Sequence, residues 1–220
     1  MHNRMKIGKL QYISSDIELI EQACSAGIKW IQLRIKKADV QFIESEAIKA
    51  RAICDKYNAT LIINDYPEIA MRIKADGVHL GKEDLSIAEA RRLLGNDFII
   101  GATSNTLADI QSAIAAGADY IGLGPFRFTE TKERLSPVLG LKGYTDILTQ
   151  LNKQTNKLVP IIAVGGITEL DIDAIITTGM YGIAVSGAIS TAKNKKETIT
   201  NFMDSINKHH KELHHSKHLI

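Results

Sequence analysis

Short apolar runs alternate with amphipathic segments along most of this chain. The apolar runs are Leu10–Ser14, Trp30–Lys36, Thr60–Asp65, Gly77–Gly81, Phe98–Thr103, Tyr120–Pro125, Pro160–Gly166 and Gly182–Ile189. Helical periodicity falls between and after them, at residues 15–25, 39–57, 67–74, 86–94, 106–116, 142–154, 169–178 and 196–213. Strands that alternate with helices predict a parallel sheet, because parallel neighbours need a crossover connection between them.

A weak internal repeat of helix, glycine and strand supports this prediction. The segments AGIKWIQLR, ADGVHLG, AGADYIGLG and TGMYGIAVSG each place a glycine at or just before an apolar run. Repeats of this kind in 220 residues predict one α/β domain, a closed (β/α)8 TIM barrel over about 8–206 with a polar, His-rich tail at 207–220. A doubly wound open sheet is the competing architecture, but no GxGxxG motif follows the first run.

Polar residues, and glycines with accessible backbone N–H groups, stand at the ends of the predicted strands, where a barrel places its active site. They are Gln32, Arg34, Lys36, Asn64, Asp65, His79, Asp84, Thr103, Gly166, Ser186 and Gly187. Taken singly, each is explained as a solvated strand end, a helix cap, a core histidine or a tight turn. The barrel gathers all of them on one rim, and independent explanations do not predict that clustering.

The chemistry of this set indicates anionic ligands and a metal. Arg34, Lys36 and Lys132 are cations suited to a polyanion, and Asp65 and Asp84 are carboxylates suited to Mg²⁺. Backbone N–H groups at the ends of the seventh and eighth strands suit a phosphate. The sequence therefore predicts one diphosphate, one monophosphate and one divalent cation.

Composition narrows the class of protein. The chain has 27 basic and 25 acidic residues, which gives no electrostatic basis for binding nucleic acid or an anionic membrane. No segment approaches the roughly 20 continuous apolar residues that a membrane span needs, and the start MHNRMKIGKLQYIS lacks the apolar centre of a secretory signal. Cys24 and Cys54 form no CxxC pair and are expected to be reduced and buried. We expect a soluble, cytoplasmic protein with small-molecule ligands, and the sequence leaves a homo-oligomer open.

Several motifs together resemble the thiamine-phosphate synthase family. They are QLRIK, INDYPEIA, ADGVHLGKEDL, GADYIGLGPFRFTETK, PIIAVGGI and GIAVSGAI, which follow one another from about residue 10 to residue 190. The resemblance implies a (β/α)8 barrel that joins hydroxymethylpyrimidine diphosphate to hydroxyethylthiazole phosphate, releases pyrophosphate and requires Mg²⁺. It also implies a reaction through a pyrimidine carbocation, without a protein nucleophile.

The same resemblance assigns roles to individual residues. It implies that Gln32 and His79 hold the pyrimidine, and that Asp65 and Asp84 bind Mg²⁺. The diphosphate would be bound by Arg34, Lys36, Asn64, Thr103 and Lys132, of which Arg34, Lys36 and Lys132 would be catalytic through stabilisation of the leaving group. The thiazole phosphate would be bound by Thr129, Thr131, Gly166, Ser186 and Gly187. The segment Phe126–Leu139 would be an active-site lid.

Two alternatives on the same barrel stay open at this stage. One is a proton-transfer enzyme like the thiazole tautomerases, which would need only a general acid and base. The other is a non-catalytic sensor of a phosphate ligand, since a fold does not fix a function. Five of the seven histidines lie in HHKELHHSKHLI at 209–220, which we interpret as a solvated terminus because no cysteine or carboxylate completes a zinc motif.

Overall fold

The strands close into a parallel barrel, which confirms the predicted fold class. The computed structural model describes residues 7–128, 137–154 and 159–216, with side chains described up to residue 208. Within these ranges each strand pairs in parallel with the next, and the last pairs with the first. The strands are β1 Leu10–Ser14, β2 Trp30–Leu33, β3 Thr60–Asn64, β4 Gly77–Leu80, β5 Ile99–Ser104, β6 Tyr120–Leu123, β7 Ile161–Val164 and β8 Gly182–Val185.

Helices follow the strands and form the outer layer. They are α1 Ile17–Ser25, α2 Val40–Tyr57, α3 Pro67–Arg72, α4 Ile87–Leu94, α5 Leu107–Ala115, α6 Gly140–Gln154, α7 Ile172–Thr177, α8 Gly187–Ser190 and α9 Lys195–Ser216. A 3₁₀ turn, Glu169–Asp171, precedes α7. None of the helices in the described ranges is both long and apolar enough to span a bilayer.

Short polar side chains start several of these helices. The Asp16 carboxylate accepts a hydrogen bond from the Leu19 N–H at 3.0 Å, and Asp39 accepts one from the Phe42 N–H at 2.8 Å. Such N-caps satisfy backbone donors that have no partner inside the helix. They also turn the chain away from the strand end, so the capping residues lie near the rim that carries the polar set.

Two strands, β2 and β8, end three or more residues before the ends of the apolar runs that predicted them. β2 ends at Leu33, and Lys37 adopts a left-handed backbone with φ of 58°, so Arg34 and Lys36 lie beyond the strand rather than on it. The last run also changes structure, because β8 ends at Val185 and residues from Gly187 form α8. Apolar character alone does not mark these ends, because α8 buries Ile189 in the core as a strand residue would be buried.

The described part of the barrel holds two separate apolar regions. Between strands and helices lies the larger one, which includes Cys24 and Cys54, both free and buried as predicted. Inside the barrel lies a smaller cluster that closes the interior, since a barrel of this size is filled by side chains. It comprises Trp30, Ile62, Ile99, Tyr120, Ile162 and Ala184.

Candidate active site

A pocket opens above the inner cluster, at the C-terminal ends of the strands. It encloses about 430 Å³ together with its open mouth. Its lining comprises Gln11, Ile13, Gln32, Arg34, Asn64, His79, Thr103, Tyr120, Gly122, Ile162, Val164 and Ala184. Tyr120, Ile162 and Ala184 also belong to the inner cluster, so the floor of the pocket is the top of the barrel core.

A chain of buried amides crosses one wall of this pocket. Gln32 is 2% exposed, and its Nε2 donates to Gln11 Oε1 at 3.2 Å. The Nε2 of Gln11 in turn lies 3.4 Å from the Tyr120 hydroxyl, to which it donates. These contacts fix the orientation of the Gln32 amide, because a buried amide without partners would be costly.

His79 is held between two hydroxyl groups. Its Nδ1 lies 3.0 Å from the Tyr120 hydroxyl, and its Nε2 lies 3.0 Å from Thr103 Oγ1. Burial raises the pKa of Tyr120, so this phenol stays neutral at physiological pH. Gly101 makes the arrangement possible, because a Cβ at this position would lie 2.1 Å from the Tyr120 ring.

Arg34 and Asn64 bring polar groups from the wall of the pocket to its mouth. The Arg34 N–H donates to the Ser14 carbonyl at 2.9 Å, which fixes the backbone just beyond β2. Asn64 is 5% exposed, and among the described residues its Nδ2 has no acceptor. A buried donor without a partner is rare in proteins, so Asn64 is well suited to a ligand oxygen.

Next to Asn64, two carboxylates and a lysine form a charged cluster. Lys36 Nζ makes an ion pair with Asp65 Oδ2, and Asp84 Oδ2 accepts a hydrogen bond from the Gly81 N–H at 2.6 Å. Burial and the neighbouring Asp65 carboxylate raise the pKa of Asp84. Asp65 has a left-handed backbone with φ of 67°, a conformation that aspartate tolerates better than most residues.

The chemistry of this cluster suits a cation that takes most of its ligands from outside the protein. Within the described ranges no group of three or more His, Cys, Asp or Glu side chains could hold an ion. Mg²⁺ commonly uses one or two carboxylates and takes its remaining ligands from water and substrate phosphates. Two adjacent carboxylates, one with a raised pKa, are the type of donor set that a divalent cation would stabilise.

On the opposite side of the rim, backbone groups dominate. Gly165 and Gly166 both have positive φ, 104° and 67°, and a Cβ on either would lie within about 3.0 Å of Pro125 or Arg127. Ser186 follows β8, and a Cβ on Gly187 would meet no other atom within 4 Å. β7 and β8 are paired neighbours. The predicted phosphate-binding residues Gly166 and Ser186–Gly187 follow these two strands, so they lie side by side on the rim.

Thr129, Thr131 and Lys132 lie outside the described residues, as does most of the predicted lid. Both ends of that segment are described. The Leu139 N–H donates to the Pro125 carbonyl at 2.9 Å, and the Gly140 N–H donates to the Phe126 carbonyl at 3.1 Å. The two ends of the segment therefore meet at one base, beside β7.

Gln11 and Tyr120 line the pocket but are missing from the set predicted from the sequence. Gln11 is a single amide within the apolar run LQYIS, and Tyr120 begins the apolar run YIGL. The periodicity of the strand could have identified Gln11, because residues two apart on a strand share a face. Gln11 therefore shares a face of β1 with Ile13, and Ile13 pairs with Gln32 on β2. Both amides thus point into the barrel.

The closed barrel and its polar pocket at the strand ends define a (β/α)8-barrel enzyme. A family model described as thiamine monophosphate synthase matches residues 8–189. The thiamine-phosphate synthase of Phocaeicola vulgatus is 50% identical over 195 residues, covering 86% of this chain and 93% of its own length. That of Flavobacterium johnsoniae is 51% identical over 197 residues, covering 86% and 91%. The chain belongs to the thiamine monophosphate synthase family, which confirms the resemblance found in its sequence.

The fold of a solved structure agrees with this assignment. Thiamine phosphate pyrophosphorylase from Pyrococcus furiosus superposes with a TM-score of 0.80 at 28% identity, covering 91% of this chain and 96% of that one. The 3-hexulose-6-phosphate synthase structure has a TM-score of 0.66 at 16% identity. At that identity the second likeness shows the barrel fold alone.

Proposed function

We propose that this chain synthesises thiamine phosphate with the pocket described above. In this reaction the bond between the pyrimidine methylene carbon and the diphosphate oxygen breaks, and its electron pair leaves with the diphosphate. The thiazole nitrogen then donates its lone pair to that carbon, which forms the new C–N bond and leaves a positive charge on the thiazolium. Thiamine phosphate and pyrophosphate are the products, so the enzyme is a transferase of thiamine biosynthesis.

The observation that carries this proposal is the continuity from a buried polar pocket to a charged rim. Asn64 lines the pocket with an amide donor that lacks an acceptor among the described residues. The next residue, Asp65, belongs to the carboxylate pair at the mouth. A ring bound in the pocket would therefore extend its diphosphate directly towards cations and carboxylates.

The pyrimidine ring would be held by side chains that are already oriented. Gln32 is fixed by Gln11, and His79 is fixed by Tyr120 and Thr103. An amide can both donate to and accept from the edge of an aminopyrimidine. Because these groups are held by protein partners, little ordering would be needed on binding.

The leaving diphosphate would be stabilised by donors at the mouth of the pocket. Arg34 can offer two N–H groups to one phosphate, and Asn64 and Thr103 add a neutral donor each. Lys36 and Lys132 would add positive charge, where Lys132 is assigned by the sequence resemblance alone. Groups aimed at a developing charge lower the barrier most when they are held in place beforehand.

Mg²⁺ would be held by Asp65 and Asp84. When bound, the cation would neutralise part of the charge that develops on the leaving diphosphate. The raised pKa of Asp84 supports this assignment. Two neighbouring carboxylates repel each other when both are charged, and a bound cation would offset that repulsion. Lys36 pairs with Asp65, and its charge would be available to the diphosphate if Mg²⁺ occupied the carboxylates.

The thiazole phosphate would be bound on the other side of the rim. Gly166 and the Ser186–Gly187 peptide offer backbone N–H groups, which suit a phosphate because no side chain obstructs the approach. Thr129 and Thr131 complete this set by resemblance alone. The two phosphate-bearing substrates would then enter from opposite sides and meet over the pocket.

A proton-transfer enzyme fits this pocket less well. Both ring nitrogens of His79 already contact hydroxyl groups, so this histidine orients a ligand more readily than it accepts a proton. A passive sensor would not require adjacent carboxylates beside a diphosphate site.

Free, buried cysteines support a reducing compartment, and we extend the proposal to a cytoplasmic location.

Release of pyrophosphate separates these functions. A coupled pyrophosphate assay with the pyrimidine diphosphate alone, the thiazole phosphate alone and both together tests the requirement for two substrates. We expect release only with both substrates and Mg²⁺, and none after chelation with EDTA. Release without the thiazole phosphate would indicate a simple diphosphatase, and no release at all would contradict the proposal.

A further inference from the structure

Arg127 connects three parts of the rim that are distant in sequence. Its Nη1 donates to the Gly166 carbonyl at 2.6 Å. The same nitrogen donates to Asp171 Oδ2 at 3.0 Å, and Nη2 donates to Asp171 Oδ1 at 2.8 Å. The guanidinium therefore binds the carboxylate with two bonds and still holds a backbone carbonyl, a geometry that lysine cannot reproduce.

The backbone beside Arg127 is fixed to the same strand end. The Phe126 N–H donates to the Val164 carbonyl at 2.9 Å, and the Arg127 N–H donates to the Gly165 carbonyl at 3.0 Å. The Arg127 guanidinium also lies over the Phe126 ring, 5.1 Å from its centroid. Two residues after Arg127 the sequence reaches Thr129.

The partner of Arg127 is itself held firmly. Asp171 Oδ2 accepts from the Thr168 N–H at 2.8 Å and from Thr168 Oγ1 at 2.7 Å. Burial alone would raise the pKa of Asp171, but the hydrogen bonds from Arg127 and Thr168 outweigh it and lower the pKa. The carboxylate is 13% exposed, whereas Arg127 is 49% exposed, so Asp171 is the fixed member of the pair.

Fixing the Gly166 carbonyl has a consequence for the adjacent amide. In a trans peptide the carbonyl and the following N–H point in opposite directions. The bond from the Arg127 N–H to the Gly165 oxygen therefore fixes the direction of the Gly166 N–H, and the guanidinium bond to the Gly166 oxygen fixes the next peptide of the same turn. Residues 165 and 166 are both glycines with positive φ. Because glycine has more backbone freedom than any other residue, this turn would be poorly fixed without these hydrogen bonds.

We propose that Arg127 is a positioning residue, which orders the Gly165–Gly166 turn for the phosphate of the thiazole substrate. This inference rests on the proposed function for the identity of that ligand. Arg127 itself contributes no bond to the reacting atoms. It acts through the Gly166 carbonyl and through Asp171.

Electrostatic attraction and positioning predict opposite results for one variant. Asp171→Asn removes a negative charge near an anion site, so attraction alone predicts tighter binding of a phosphate ester. Positioning predicts weaker binding, because an asparagine cannot accept both guanidinium bonds. Arg127→Lys gives a second contrast, since it keeps the positive charge but loses the two-bond geometry.

Isothermal titration calorimetry of the full chain tests the proposal without requiring turnover. Hydroxyethylthiazole phosphate and the pyrimidine diphosphate are titrated separately into wild type, Arg127→Ala, Arg127→Lys and Asp171→Asn. Lys142→Ala serves as the control, because Lys142 makes a solvent-exposed ion pair with Asp146 on α6. We expect each Arg127 and Asp171 variant to weaken thiazole phosphate binding by roughly tenfold or more, the scale of a lost charge-assisted hydrogen bond.

We also expect the pyrimidine diphosphate affinity to change by less than about twofold and the control to match wild type. Wild-type affinity in all three variants, equal losses for both ligands, or tighter binding in Asp171→Asn would each overturn the proposal. Failure of the wild type to bind the thiazole phosphate would also overturn it. Binding without synthesis of thiamine phosphate would instead contradict the proposed function, while the variants would still decide the role of Arg127.

Discussion

The individual side chains of the pocket are oriented by one another. Gln32 bonds Gln11, Gln11 bonds Tyr120, and Tyr120 contacts His79. Each group is buried enough that losing a partner would be costly. At the scale of the residue, the proposed specificity for a polar heterocycle would follow from the need to satisfy buried polar groups inside an apolar barrel.

Replacement of Gln32 tests this arrangement. We expect Gln32→Ala to raise the KM for the pyrimidine diphosphate by roughly tenfold, because one hydrogen-bonding edge is lost, with a KM for the thiazole phosphate within about twofold of wild type. Steady-state kinetics with each substrate varied in turn measures both values. Gln111→Ala is the matched control, since Gln111 bonds Gln154 on the exposed surface. Equal losses for both substrates would make Gln32 a packing residue.

Replacement of Asp84 tests the proposed Mg²⁺ site. We expect Asp84→Asn to raise the Mg²⁺ concentration required for half-maximal activity by about tenfold or more, because a neutral amide is a weaker ligand than a carboxylate. The adjacent Glu83→Gln variant loses the same charge from the same loop and should behave nearly as wild type. A Mg²⁺ titration of initial rates compares them. An unchanged Mg²⁺ requirement in Asp84→Asn would remove it from the ligand set.

Residue-level prediction from the sequence can locate a candidate site residue, though not its role, where a polar group breaks an apolar pattern at a strand end. Gln32, Asn64 and His79 were predicted on this basis, and all three line the pocket. It fails for Gln11 and Tyr120, because a single amide near the start of an apolar run and a tyrosine at the start of another both resemble core residues. Their role emerges only when neighbouring strands are placed in register.

At the scale of the element, one charged arrangement occurs twice on the outer layer of the barrel. Arg51 on α2 donates to Asp76, which also accepts from the N–H of Leu61 at the start of β3. The second case is Arg91 on α4, whose partner Asp119 also accepts from the N–H of Ile100 near the start of β5. Each arrangement ties a helix to two strands at their N-terminal ends, which in this fold serve stability rather than chemistry.

Loss of one such tie should lower stability and leave catalysis intact. Arg51 and Asp76 side chains are only 15% and 19% exposed, so we expect Asp76→Ala to lower the free energy of unfolding by about 1–3 kcal/mol. Asp55→Ala is the control, because Asp55 pairs with the same Arg51 but is 67% exposed, and it should cost less than about 0.5 kcal/mol. Urea unfolding measures both. Equal costs would show that burial does not distinguish the two pairs.

The strands and helices were largely predictable from the sequence, but the ion pairs that join them were not. Alternation of apolar runs and helical periods located the strands and helices to within a few residues, apart from the β2 and β8 ends. The ion pairs join residues 25 and 28 positions apart, and no local pattern links such positions. Arg127 and Asp171, 44 positions apart, escaped prediction for the same reason.

At the scale of the whole molecule, closure of the barrel places the residues that stabilise the fold and the residues proposed for the reaction in different regions. β1 pairs with both β2 and β8, so no strand of the described barrel has an open edge, and the inner cluster closes the interior below the pocket. The polar rim then lies on a surface whose substitutions disturb little of the core. The repeated strand and helix pattern predicts this architecture. Residues 129–136, which hold most of the predicted lid, lie outside the described structure.

The metal and the diphosphate should stabilise the folded molecule more together than separately. If Mg²⁺ is shared between the two aspartates and the diphosphate, each ligand raises the affinity of the other, and this coupling is reciprocal. We expect the melting temperature to rise by several degrees more with Mg²⁺ and pyrimidine diphosphate together than the sum of their separate effects. Differential scanning fluorimetry measures it, with Asp84→Asn as the comparison. Additive shifts would contradict a shared site.

The most direct test of the central claim is mass spectrometry of the reaction carried out in D₂O. The enzyme is incubated with Mg²⁺, the pyrimidine diphosphate and the thiazole phosphate, and the thiazole phosphate is also incubated without the pyrimidine diphosphate. We predict thiamine phosphate and pyrophosphate in equal amounts from the complete mixture, and no enzyme-dependent deuterium incorporation into the thiazole when it is alone. Enzyme-dependent deuteration without thiamine phosphate would identify a proton-transfer enzyme, and unchanged substrates in both mixtures would identify a binding protein. Either result would contradict the account.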